Sequence, residues 1–154
     1  MKTSLMLFCF LLLCQTAALA QTSATPLLTL AEAEKIADAA IQRAKQDNWN
    51  VAVAITDQAG HLIILKTLDG TQFGSIQVAI DKAKCAIHFK RSTKAFEDLV
   101  KQGNVHLVTL PGIVAVEGGV PIVKNGVFVG AIGISGVTSV QDGIIAEAAL
   151  KNWH

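Results

Sequence analysis

The chain has 154 residues, of which 51% are hydrophobic and 16% charged, with a formal charge of +1. Its mean hydropathy is +0.46. That length suits one domain, and so apolar a composition excludes a disordered or collagen-like chain.

Much of the apolar excess lies at the front. Met1-Lys2-Thr3-Ser4 supplies one cation, Leu5 to Leu13 is continuously apolar, and Ala18-Leu19-Ala20 is a small-x-small site before Gln21. Residues 1–20 therefore read as a secretory signal peptide, with an apolar run too short to span a bilayer. Cys14 follows Leu13, where lipoprotein processing needs a small residue, so no membrane anchor is expected. The expected location is the periplasm or the medium. Loss of Lys2 brings the 13 Lys+Arg level with the 12 Asp+Glu. A neutral exported domain carries no electrostatic footprint for nucleic acid. Cys9 and Cys14 also leave, so Cys85 stands alone and no intramolecular disulfide is expected.

Residues 21–28 form a polar lead-in with Pro26, expected to be flexible. A single domain over 29–154 follows. Thr29-Leu30-Ala31-Glu32 is a capping box, and Ala33, Ile36, Ala37, Ala40 and Ala44 recur at helical spacing to about Gln46. Val51 to Thr56 reads as a strand, Asp57 to Gly60 as a turn, and His61 to Leu68 as the returning strand. Val51, Val53 and Ile55 alternate with Ala52 and Ala54, so one face is expected to meet a closely approaching helix. Gly74 to Lys90 and Ser92 to Lys101 read as helices, the second ended by Gly103. Val105 to Leu110 has strand character up to the Pro111-Gly112 break. Asn125-Gly126 is a hairpin signal between Pro121–Lys124 and a strand running from Val127 to Ser135. Ser139-Val140-Gln141-Asp142 is expected to cap a last helix, with Ser139 as the cap, reaching about Asn152. Hairpins outnumber crossovers, which predicts a mostly antiparallel sheet with helices on both faces.

Six glycines fall between 118 and 136. In strands, glycine marks either tight packing or the close approach of a ligand, and spacing alone leaves both open. The run from Gly130 is neither a dinucleotide fingerprint nor a nucleophile elbow. A strand ending at Ser135, the Gly136 turn and a following helix start would aim amide N–H groups at a carboxylate or phosphate, unless the helix only caps itself. Asp81, Cys85 and His88 fall at i, i+4 and i+7 on one helical face. Thiolate and imidazole are haem-iron ligands, which makes Cys85, His88, His106 and His61 candidates, each also readable as an ordinary packed or surface residue. No spacing suits tetrahedral zinc. Lys82, inside an apolar helix, could pair with a carboxylate or with a ligand's acidic group.

Residues 113–149, with Gly-Gly-x-Pro-Ile, Gly-Ala-Ile-Gly-x-Ser-Gly and Gln-Asp in that order, closely resemble the closing motif of the GlcG/HbpS-like haem-binding family. The C-terminal domain of PduO-type corrinoid adenosyltransferases belongs to the same family. VAVAITDQAGHLIIL at 51–65 resembles its first hairpin, and AIDKAKCA at 79–86 its central helix. The resemblance implies a profilin-like α+β domain in α/β/α layers, with a five-stranded antiparallel sheet, assembled into dimers or higher oligomers. It implies haem binding for iron storage, sensing or breakdown. It also carries a binding role onto Lys82, Glu117, Gly118, Gly119, Pro121, Ser135, Gly136, Gln141 and Asp142. The alternatives are a small-molecule enzyme using a Glu117–Gly119/Ser135–Asp142 cleft, with Glu117 or Asp142 as base, and a non-catalytic structural oligomer.

Overall fold

In the computed structural model, which describes residues 26–151 and 153, the chain enters its first helix where the cap directs it. Thr29 accepts from the Glu32 amide and Glu32 answers the Thr29 amide, so α1 (Leu30–Gln46) starts as the capping box predicts. The expected signal peptide and most of the lead-in lie outside the described residues.

Four strands follow in two hairpins: β1 (Ala52–Asp57) with β2 (Leu62–Thr67), and β3 (Gly119–Lys124) with β4 (Val127–Ser135). Between the hairpins come α2 (Phe73–Phe89), α3 (Thr93–Lys101) and a 3-10 helix (Val105–Thr109), and α4 (Ser139–Leu150) closes the fold. The sheet order is β2-β1-β4-β3, with every neighbour antiparallel. The β3–β4 turn has Asn125 and Gly126 at φ 51° and 77°, the left-handed pair that an Asn-Gly turn requires.

The described residues hold four strands where five were expected. Val105 to Leu110 closes local bonds instead: Leu107 N–H donates to Asn104 O, Leu110 N–H to Leu107 O, and the Thr109 hydroxyl to His106 O. With these groups bonded locally and Pro111 next in the chain, the segment closes a 3-10 helix and adds no strand to the sheet. The last helix also starts one residue earlier than expected. Thr138 is its N-cap, in a second capping box with Gln141.

Helices cover both faces of the sheet, by different means. α1 and α4 pack on Val53, Ile55, Ile122, Val129, Ile132 and Ile134. Full burial of each such side chain contributes ~1.5–3 kcal/mol. The opposite face presents Ala52, Ala54 and Ala131 to Ala79, Ala83 and Ala86 of α2. There the helix comes almost to the backbone of β4. A Cβ built on Gly133 would stand 2.0 Å from Ala79 O.

Candidate functional site

Lys82 projects from the sheet-facing side of α2, and Asp142 lies in the first turn of α4, on the far side of the sheet. They meet past the open end of β3 and β4. Lys82 Nζ lies 2.8 Å from Asp142 Oδ2 and donates to Ile134 O at 3.0 Å. The two side chains are only 1% and 3% exposed. The passage exists because Gly118 and Gly119 are bare. A Cβ on Gly118 would meet Lys82 Nζ at 2.9 Å and Asp142 Cβ at 2.8 Å, and one on Gly119 would meet Lys82 O at 2.4 Å. Gly118, at φ 127°, also holds a backbone conformation that disfavours any side chain. At Gly118 and Gly119, close packing is the one of the two meanings that the structure takes. Burial pushes the Asp142 carboxyl up, against the pull of the Lys82 ammonium and the Val137 amide. Lys82 therefore has its carboxylate inside the chain and does not present a cation to a ligand.

The helix tip once expected to receive an anion is filled as well. Gln141 accepts from the Thr138 amide and hydroxyl, Thr138 accepts from the Gln141 amide, and Asp142 accepts from Val137 N–H. These amides cap their own helix. Ser135 is buried at the end of β4. Pro121 sits on β3, an edge strand, where its missing N–H is tolerated.

Glu117 behaves differently. Its carboxyl lies over Gly143, where a Cβ would stand 2.2 Å from Oε1, and it makes no hydrogen bond or ion pair to a described residue. Desolvation raises its pKa, with Glu97 and Asp98 adding to the effect against Lys94 and Lys101. Its backbone is fixed by Glu97, a residue that sequence reasoning missed. Glu97 accepts from Glu117 N–H at 2.5 Å, Lys101 Nζ at 2.5 Å and the Ser139 hydroxyl at 3.4 Å. Burial opposes ionisation of Glu97, but these donors outweigh it and its pKa falls. Thr93, also missed, is fully buried and accepts from Gly119 N–H at 2.9 Å. Only the i, i+4 spacing of Thr93 and Glu97 hints at this inward-facing polar pair.

The four possible iron ligands do not converge. Cys85 is buried against Val114, whose N–H donates to its sulfur, and desolvation raises the thiol pKa. A neutral buried thiol is a poor ligand. Asp81 bonds to Gln77 instead of joining Cys85 and His88. The shared face is divided because α2 is buried on more than one side. His106 is exposed on the 3-10 helix.

His61 and His88 both attend the β1–β2 turn. His88 Nε2 is 3.0 Å from Ala59 O, and since a carbonyl only accepts, Nε2 carries the proton. His61 Nδ1 is 3.2 Å from Asp57 Oδ2, and the side chain is 81% exposed. Asp57 stays ionised: burial raises its pKa, but the amides of His61 and Ala59 and the His61 ring lower it further. Its carboxylate therefore accepts from His61 Nδ1–H, and in the neutral ring Nε2 is then the nitrogen that carries the exposed lone pair. This is the outer-shell arrangement common to metal-binding histidines. Among the described residues, no group of three or more His, Cys, Asp or Glu side chains could hold a metal ion.

The layers, the two hairpins and the inward Lys82–Asp142 pair define an α+β domain with its glycine motif at one end of the sheet and two histidines at the other. Residues 28–151 match the profile of the family described as haem degrading protein HbpS-like, and the chain belongs to that family. It is 37% identical over 103 residues to Protein GlcG of Escherichia coli strain K12, covering 67% of this chain and 77% of that protein. A double mutant of Streptomyces reticuli HbpS superposes with TM-score 0.77 at 29% identity, covering 84% of this chain and 89% of the other. The PduOC:heme complex superposes with TM-score 0.75 at 27% identity, covering 82% and 94%.

Proposed function

We propose that the chain is an exported haem-binding protein that stores, senses or breaks down haem. The observation that carries this reading is the kinship with a family described as haem degrading, joined to His61 as an accessible imidazole set by Asp57. A solved relative described as a complex with heme supports it. His61 would coordinate the iron through Nε2, with His88, which reaches the same turn from α2, the second choice. Bound haem would supply redox-active iron, and the chain's part is to hold, orient and shield it. Export rests on the signal-like residues 1–20, and N-terminal sequencing of protein recovered outside the cytoplasm should begin at Gln21. Self-association is supported by exposed apolar side chains, among them Val105, Val108, Leu110 and Val140, which light scattering of the purified protein tests.

Titration with haemin is the direct test of haem binding. A saturable, shifted Soret band that His61→Ala weakens about tenfold, while His106→Ala does not, is the expected result. No shift in either iron oxidation state would sink the reading. A second reading, small-molecule turnover, is favoured by Glu117 alone, because a half-buried carboxyl with raised pKa and no partner is suited to proton transfer. Glu117→Gln would then abolish turnover and leave the Soret titration unchanged.

A further inference from the structure

At the turn end of the sheet lies an open basin of about 530 Å³, lined by Gln58, Lys90, Gly126, Val127 and Phe128. Three separate segments build it: the β1–β2 turn, the C-cap of α2 and the β3–β4 hairpin. Its volume falls within the range of small-molecule sites. No neighbouring side chain fills the hairpin rim, since a Cβ on Gly126 would meet nothing within 4 Å.

Lys90 is the informative residue. It caps α2 in the left-handed conformation, at φ 51° and ψ 40°. Glycine usually takes that position, because a Cβ there is strained. The chain carries a lysine instead, and its ammonium lies 5.8 Å from the centroid of the Phe128 ring. Among the described residues it has no carboxylate partner, as is also true of Lys35, Lys45, Lys84 and Lys151, and what sets it apart is its place beside the Phe128 ring and the open basin. The nearest acid of the adjoining turn, Asp57, is already engaged by the amides of Ala59 and His61 and by the His61 ring. An unpaired cation beside an aromatic face and open space matches a planar ligand with an acidic edge.

We propose that this basin takes the carboxylate-bearing edge of a flat ligand, with Lys90 as anion partner and the Phe128 ring as apolar floor. The inference rests on the haem reading and sharpens it, since haem is flat and carries two propionates. It moves the acid-binding role from Lys82, which is buried, to Lys90, which is free. Gln58 of the basin belongs to the turn that carries His61 and contacts His88, so anion partner and iron-ligand candidates share one end of the sheet.

Lys90→Gly is the sharpest test, because glycine relieves the left-handed strain while deleting the ammonium. We expect a Tm equal to or above that of the parent protein. Haemin affinity should fall roughly tenfold, as for loss of a charge-assisted contact. The parent should also prefer haemin to its dimethyl ester, and Lys90→Gly should lose that preference while Lys90→Arg keeps it. If the parent binds haemin and Lys90→Gly binds it equally well with the same preference, the basin assignment is overturned and the haem reading stands. If the parent binds neither compound, both are overturned.

Discussion

On the α1/α4 face of the sheet, Val53, Ile55, Ile132 and Ile134 send branched side chains into a common core. On the α2 face the same two strands present Ala52, Ala54, Ala131 and Gly133, and helix and sheet meet nearly backbone to backbone. The first face is held by side-chain volume, so a lost methyl group leaves a small void that neighbours can partly close. The second is held by the absence of volume, so an added methyl group has nowhere to go. Gly130 and Gly136 are crowded by backbone at Thr56 and Asn50, and of the motif glycines it is Gly119 and Gly133 that meet the α2 backbone in this second mode. Their presence in a chain signals a close helix first, and a binding site only on further evidence.

The comparison can be broken at four places. The largest effect is expected from Gly133→Ala, whose Cβ would lie 2.0 Å from Ala79 O and 2.6 Å from Ala83 N. Both are backbone atoms, so α2 itself must shift. Circular dichroism and thermal melts should show a loss above ~4 kcal/mol or no folded protein. Next comes Lys82→Met, which leaves Asp142 buried without its cation and should destabilise by ~3–5 kcal/mol in urea unfolding. Adding Asp142→Leu should restore much of that loss, because two apolar residues leave no uncompensated charge. On the opposite face, Ile134→Val should cost only ~0.5–1.5 kcal/mol. An effect as large as that of Gly133→Ala would erase the distinction between the faces.

The smallest effect concerns Glu32, at the start of α1. Its carboxyl is held at about 2, from an ordinary 4.5, by the hydrogen bond from Lys124 and then by the Thr29 amide. A depressed acid lends stability above its unfolded pKa and loses it as pH falls through the folded value. Tm should therefore drop between pH 4.5 and about 2, and Lys124→Ala should flatten part of that drop.

The local signals were legible in the residues. Thr29–Glu32 fixed one helix start, Asn125-Gly126 fixed a hairpin, and the Val/Ala alternation at 51–55 foretold a closely packed helix. What escaped was non-local. Lys82 and Asp142 are 60 positions apart, and nothing in their spacing says that one answers the other across the sheet. The glycines could not announce whether helix or ligand approached them. The helical face of Asp81, Cys85 and His88 looked coherent by angle, but a helix enclosed on several sides sorts its residues by depth as well. At 105–110, propensity favours a strand, but local bonds to Asn104, His106 and Leu107 close a 3-10 helix instead.

The ion pair threading the end of the sheet also ties the last helix to the rest of the fold. All four strands and Lys82 precede residue 139, yet a chain ending there would have only the Ile134 carbonyl to receive the buried ammonium. Seating α2 on the sheet would then strand a positive charge in an apolar interior. The final helix thus supplies the carboxylate that completes this pair, and a chain cut at 138 should be helped by Lys82→Met, where the full chain is harmed by it.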